Sequence, residues 1–167
     1  KSMTLHGLEG FIVDVQVDVD GGLPCWEIVG LPDIRIREAK ERVRTAIKNS
    51  GYEFPSRRIV INLAPATIKK VGSAFDLPIA IAILLATENI NEFDFENVAF
   101  VGELSLDGNV HSITGILPMC IEAKKLGIKE IVVPKENAKE ASIVDEINVI
   151  PVSSLNQVVA YLNKSIK

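Results

Sequence analysis

Within Phe11 to Asp20 the chain alternates from Val13 onward: Val13, Val15, Val17 and Val19 on one side, Asp14, Gln16, Asp18 and Asp20 on the other. A period of two, with apolar and polar residues in alternation, is a strand with one face on a core and one in water, as in antiparallel sheet. Asp20-Gly21-Gly22 then reads as a turn, and Cys25 to Val29 as the strand returning beside the first. The rest of the fold has to be built around that half-wet sheet.

Gly30-Leu31-Pro32 breaks the extended run, and Asp33 stands at a helix N-cap position. Ile36, Ala39, Val43, Ala46 and Ile47 recur at helical spacing until Asn49-Ser50-Gly51, where Gly51 can take the left-handed conformation that ends a helix. Arg58 to Leu63 is a short β-branched strand. Ala64 to Ala74 has no period and reads as an extended loop. Asp76 opens a mostly apolar helix, Leu77 to Thr87, buried on most of its surface, and the polar stretch Asn89 to Asn97 is a surface crossing. Val98 to Leu104 is a further strand, with a hairpin signal at Asp107-Gly108. Gly115 to Leu126 is helical, with Pro118 in the first turn and Gly127 at its end. Glu130 to Val133 is a strand closed by Pro134, Asn137 to Val144 a helix, and Asn148 to Val152 a strand. Ser154 to Leu162 is an amphipathic helix with Ser153 or Ser154 as its cap. The order β-β-α-β-α-β-β-α-β-α-β-α predicts a mixed α/β (α+β) fold of three layers around one mixed sheet. With 167 residues, 47% of them apolar, and no repeat or linker, residues 1–167 read as one domain.

Several chemistries can be tested against the residues. Gly72-Ser73 lies near Lys69-Lys70, but in a phosphate-binding loop the lysine follows the glycines, and here it precedes them. Asp14, Asp18 and Asp20 share a strand face at separations of about 7 Å for alternate positions, which suits a solvated sheet better than a metal cage. His6 and His111 are the only histidines. Ser112 adjoins His111, but strand neighbours face opposite sides, so no Ser-His pair is expected there. Cys25 and Cys120 have no partner at metal-ligand spacing and read as two reduced thiols of an intracellular protein. The longest apolar run, Leu77 to Ala86, is about half the ~20 residues of a membrane span. No basic-then-apolar signal opens the chain, and the two unpaired cysteines give the cytoplasm as the expected location.

Charge is unevenly distributed. The whole chain is −4, yet residues 33–70 hold ten basic side chains against four acidic ones, a net of +6, leaving −10 elsewhere. Arg37, Lys40, Arg44 and Lys48 form one helical ridge opposite Ala39, Val43 and Ala46. That ridge could be a solvated face with Glu38 and Glu41 as partners. Arg35, Arg57, Arg58, Lys69 and Lys70 extend it, and with Arg37, Lys40 and Arg44 they are the candidate phosphate-facing set.

A set of segments then becomes recognisable, in order along nearly the whole chain: Val29-Gly30-Leu31-Pro32-Asp33, Glu41-Arg42-Val43-Arg44, Asn49-Ser50-Gly51-Tyr52-Glu53-Phe54-Pro55, Asn62-Leu63-Ala64-Pro65-Ala66, Phe75-Asp76-Leu77-Pro78-Ile79-Ala80, Val101-Gly102-Glu103-Leu104-Ser105-Leu106-Asp107-Gly108 and Gly115-Ile116-Leu117-Pro118. Together they resemble the N-terminal domain of the Mg-chelatase-like AAA+ ATPases of the ComM/YifB competence type. The resemblance implies a fold similar to the proteolytic domain of Lon, shared with a small ribosomal-protein domain and containing a left-handed βαβ crossover. It places the Lon nucleophile position on Ala74, with Ser73 one place early, and the Lon lysine position on Leu117, so both members of a Ser-Lys dyad are absent. It implies no cofactor for this domain, and ATP and Mg²⁺ for a parent protein whose ATPase module lies outside this chain. The parent would be a hexamer promoting branch migration of DNA in natural transformation. The implied partners are DNA and the AAA+ module of the same polypeptide. Asp33, Asp76 and Glu103, within these segments, are read as caps and buried polar anchors. A protein-interaction role, using the helix from Asp33 and the loop 64–74, is the competing expectation, and a residual Ser73 hydrolase a remote one.

Overall fold

The computed structural model describes residues 2–6, 9–65, 70, 72–91 and 97–164. The alternating segment is a strand, β2 (Glu9–Asp20), paired antiparallel with β1 (Ser2–His6), which the sequence pattern does not reveal. β3 (Cys25–Val29) does not return beside β2. The strand β4 (Arg58–Ala64) lies between them, antiparallel to β2 (Asp14↔Ala64 to Asp20↔Arg58) and parallel to β3 (Cys25↔Arg58 to Val29↔Asn62), giving the order β1-β2-β4-β3. Asp20-Gly21-Gly22 is thus a bend between non-neighbouring strands. The physical reason is that β4 buries Ile59, Ile61 and Leu63 completely on one face, so it takes a central place, while β3 exposes Cys25, Glu27 and Val29 and sits at the edge.

Helix α1 (Ile34–Asn49) joins β3 to β4 and turns Ile36, Ala39, Val43, Ala46 and Ile47 into the core. Asp33 caps it as expected, its Oδ1 accepting from the Ile36 N–H at 2.9 Å, and Gly51 ends it at φ +93°. Gly30 at the end of β3 has φ +105°, and a Cβ there would lie 2.2 Å from the Leu63 carbonyl oxygen, so this crossing needs glycine. Helix α2 (Asp76–Ala86) is buried on nearly every side, as its composition predicts.

The expected strand over 98–104 is two. β5 (Val98–Phe100) joins a second, all-parallel sheet, β5-β8-β9, with β8 (Glu130–Pro134) and β9 (Asn148–Val152). β6 (Glu103–Leu104) pairs antiparallel with β7 (Val110–His111). Gly102 separates them because its backbone is occupied by the start of α2: its N–H donates to the Ala74 carbonyl and its carbonyl accepts from the Leu77 N–H, both at 3.0 Å. α3 (Ile116–Lys125), a 3-10 turn at Lys135–Asn137, the short α4 (Ala138–Ala141) and α5 (Leu155–Lys164) complete the order. One apolar cluster is shared by the first sheet, α1, α2 and α5, and a second lies under α3 and β8. The architecture is therefore mixed α/β, as expected, but organised on two larger sheets and two cores rather than on one mixed sheet.

Candidate functional site

The resemblance to Lon puts one expected catalytic position, Ala74, on the loop leading into α2 and the other, Leu117, in the first turn of α3. Ala74 is buried and its carbonyl is the acceptor for Gly102. Ser73 is half-buried; its carbonyl accepts from the Asp76 N–H at 3.2 Å, and among the described residues its hydroxyl has no hydrogen-bond partner. Leu117, in α3, faces an open groove of about 570 Å³ shared with Ile121, Ile143 and Lys124. Lys124 Nζ lies 3.8 Å from a Glu146 carboxylate oxygen. Ala74 belongs to one apolar cluster with Ile116 and Met119 of α3, whereas Leu117 lies outside that cluster and lines the groove, so both positions carry hydrocarbon but their side chains do not share one cluster.

Two aspartates fix this region. Asp33 uses both carboxylate oxygens: Oδ1 caps α1, and Oδ2 accepts from the Gly72 N–H at 2.9 Å. Its own N–H donates to the Lys70 carbonyl, and the Lys70 N–H to the Leu31 carbonyl, both at 3.0 Å. Asp76 is fully buried and receives Arg42 in a forked pair, Nε to Oδ2 at 2.7 Å and Nη2 to Oδ1 at 3.0 Å, while the Leu104 N–H donates to Oδ2 at 3.0 Å. Arg42 Nη2 also donates to the Arg35 carbonyl at 2.7 Å. Burial pushes the Asp76 carboxyl up to about 6 against the opposing pull of Arg42, and the same pair raises Arg42. Glu103 is half-buried at the start of β6; its charge adds to the upward push on Asp76. Charge counting places Arg42 with the surface bases; its partner lies 34 residues away, which no local pattern can show.

The candidate phosphate-facing residues divide. Arg35, Arg37, Arg44, Arg57 and Arg58 are exposed, and Lys40 is half-buried on the α1 ridge. Arg58 is engaged by Asp20, Nη1 to Oδ2 at 3.2 Å. Lys70 does not belong to the surface: its side chain is completely buried, Nζ donates to the Pro65 carbonyl, and desolvation lowers its pKa. Its neighbours cannot reveal this, because the bridge between Pro32 and Lys70 draws it under the start of α1. Lys69 lies outside the described residues.

Sequence reasoning missed a recess of about 200 Å³ between the end of α1 and the turn before β4, lined by Trp26, Arg44, Lys48, Phe54 and Arg57. Trp26 and Phe54 meet edge to face with centroids 5.4 Å apart, and the Arg44 guanidinium carbon lies 5.5 Å from the Phe54 ring centroid. Among the described residues, the Trp26 Nε1 donor is buried without an acceptor. Exposed apolar side chains also occur at the β3–α1 junction, where Leu31 is 51% and Ile34 72% exposed.

The starts of α1 and α2 do not suit a nucleotide phosphate. That of α1 is filled by Asp33, and that of α2 carries a buried aspartate in its first turn, both opposing a phosphate. Among the described residues, no group of three or more His, Cys, Asp or Glu side chains gathers as a metal site, and no helix is long and apolar enough to cross a membrane. Asp14 and Asp18 are exposed on the β2 face. His111 and Ser112 are exposed, and Cys25 and Cys120 are free thiols, one exposed and one buried.

Comparison with known proteins gives these residues a context. The family described as subunit ChlI of Mg-chelatase matches residues 15–137, a span that holds Asp33, Asp76, Ala74 and Leu117. The chain belongs to this family. It is 38% identical over 157 residues to the competence protein ComM of Haemophilus influenzae, covering 94% of this chain and 31% of that protein. It is 41% identical over 150 residues to YifB of Escherichia coli, covering 90% and 29%. A Lon protease of Rhizobium meliloti is 31% identical over 134 residues, 75% of this chain and 16% of the protease, in keeping with a Lon-like fold. The chain thus spans about a third of the length of relatives such as ComM and YifB.

Proposed function

We propose that this chain is a non-catalytic accessory domain of an Mg-chelatase-like AAA+ ATPase, and that it holds DNA through the exposed face of α1. The parent would use ATP and Mg²⁺ in a module beyond this chain, work as a hexameric ring in the cytoplasm and drive branch migration during natural transformation. The observation that carries the reading is the run of exposed cations on α1 and the turn before β4: Arg37, Arg44, Lys48 and Arg57 have no carboxylate partner among the described residues, in a chain of net charge −4. Cations kept unpaired on an otherwise acidic molecule suit a polyanion. The absence of a hydrolytic role rests on chemistry: Ala74 and Leu117 can neither attack a carbonyl nor accept a proton.

The test is binding of the chain to a fluorescent DNA duplex across a salt series. Changing Arg37, Lys40, Arg44 and Arg57 together to Glu should weaken binding at low salt by at least about tenfold and flatten the salt dependence. Equal binding by the quadruple variant removes the reading. A second reading, contact with a neighbouring subunit or with the ATPase module, is favoured by the exposed Leu31 and Ile34 beside Arg37. In that case Ile34→Asp would disrupt assembly of the parent and leave DNA binding intact.

A further inference from the structure

We infer that the recess between β3, the end of α1 and the turn before β4 is a built phosphate pocket, which seats a phosphodiester of a single nucleic-acid strand. This deepens, and rests on, the reading that the α1 face holds DNA. Three cations from separate parts of the chain converge on the recess: Arg44 and Lys48 from successive turns of α1, and Arg57 from the turn. All three are exposed, and none is paired with a carboxylate among the described residues. Uncompensated like charges around one small cavity repel one another, so an anion seated among them lowers the energy of the arrangement.

The recess is also shaped and stiffened. The Phe54 ring packs edge to face on Trp26 and holds the Arg44 guanidinium near its centroid, so Arg44 is positioned before any ligand arrives. A volume of about 200 Å³ accommodates a phosphate and part of its sugar, and excludes the body of a duplex. A single strand can thread one phosphate into such a hollow while its neighbouring groups lie along the Arg37–Lys40 ridge of the same helix.

Trp26 is the only tryptophan in the chain, so its emission reports on this recess alone. The chain is titrated with a short oligothymidylate, following Trp26 emission and, separately, the anisotropy of a labelled oligonucleotide. Inorganic phosphate and pyrophosphate are titrated in parallel. Binding should change Trp26 emission. Lys48→Gln with Arg57→Gln should weaken affinity by about tenfold or more, as removal of charge-assisted hydrogen bonds does, and lower the salt slope by about 0.7 for each phosphate left without its cation. Arg35→Gln, outside the recess, should change affinity less and leave the emission change in place. Oligonucleotide binding without an emission change, and unaffected by the Lys48 and Arg57 substitutions, overturns the pocket while the wider DNA face survives. A response to phosphate or pyrophosphate with no oligonucleotide binding overturns the nucleic-acid assignment of the pocket, and no response to any probe overturns the pocket itself; in both cases the duplex titration decides the DNA face separately.

Discussion

The Arg42–Asp76 pair can be dissected with a double-mutant cycle. Asp76 is fully buried and Arg42 is 22% exposed, so neither charge can be left alone cheaply. Asp76→Ala strands the guanidinium and orphans the Leu104 N–H; breaking a buried pair from one side costs about 3–5 kcal/mol. At about 2–4 °C per kcal/mol for a chain of this size, the melting temperature should fall by roughly 6–20 °C. Arg42→Met leaves the buried carboxylate without its cation, a loss of similar size near neutral pH. The double variant should be less destabilised than the sum of the two by about 1–3 kcal/mol, because it leaves no unpaired charge. The pair also makes a pH prediction. A carboxyl raised in the folded state from its ordinary 3.8 to about 6 contributes stability that is fully present below 3.8 and is lost as pH rises through about 6. Urea denaturation followed by circular dichroism should therefore show that the wild type loses stability between pH 5 and pH 7.5 relative to Asp76→Ala, by on the order of 1–3 kcal/mol. In Arg42→Met that loss should be steeper. Additive single variants, with pH slopes that do not differ, would refute the account of Asp76 as a desolvated carboxylate tuned by Arg42.

Gly30→Ala should destabilise the chain by at least about 2 kcal/mol in the same denaturation assay, since the new Cβ would sit 2.2 Å from the Leu63 carbonyl oxygen at a positive φ. Asp33→Ala removes both the α1 cap and the acceptor for Gly72 and should cost about 1–3 kcal/mol, with Asp33→Asn retaining much of the cap; thermal melts distinguish them. Incubation with unfolded casein should release no peptides; cleavage that disappears in Ser73→Ala would restore a hydrolytic function.

Local chemistry makes most of the elements legible in advance. The valine–aspartate alternation of β2, the Asp33 cap and Gly51 end of α1, the buried α2 and the Pro118-bearing α3 all follow from periodicity and capping. Pairing is harder, because it depends on distant partners. Nothing in Asp20-Gly21-Gly22 tells that β4 will intervene before β3, and nothing in Val98–Leu104 tells that Gly102 is claimed by the start of α2. The site shows the same division. The ridge of bases on α1 is visible as a pattern, and the family segments carry Asp33 and Asp76. The burial of Lys70, the attachment of Arg42 to Asp76 and the joining of Trp26 and Phe54 to the bases of α1 all depend on tertiary placement.

The position of β4 has a consequence for how the molecule is made. Among the described residues β3 gains its sheet hydrogen bonds from β4 alone, and the apolar face of α1 is seated on the sheet that β4 completes. A nascent polypeptide that has emerged from the ribosome only as far as Gly51 carries every cation of α1 but no platform to aim them. The helix acquires its bearing when the Arg58–Ala64 segment takes its place between two strands synthesised earlier, a non-local pairing of the kind that slows folding.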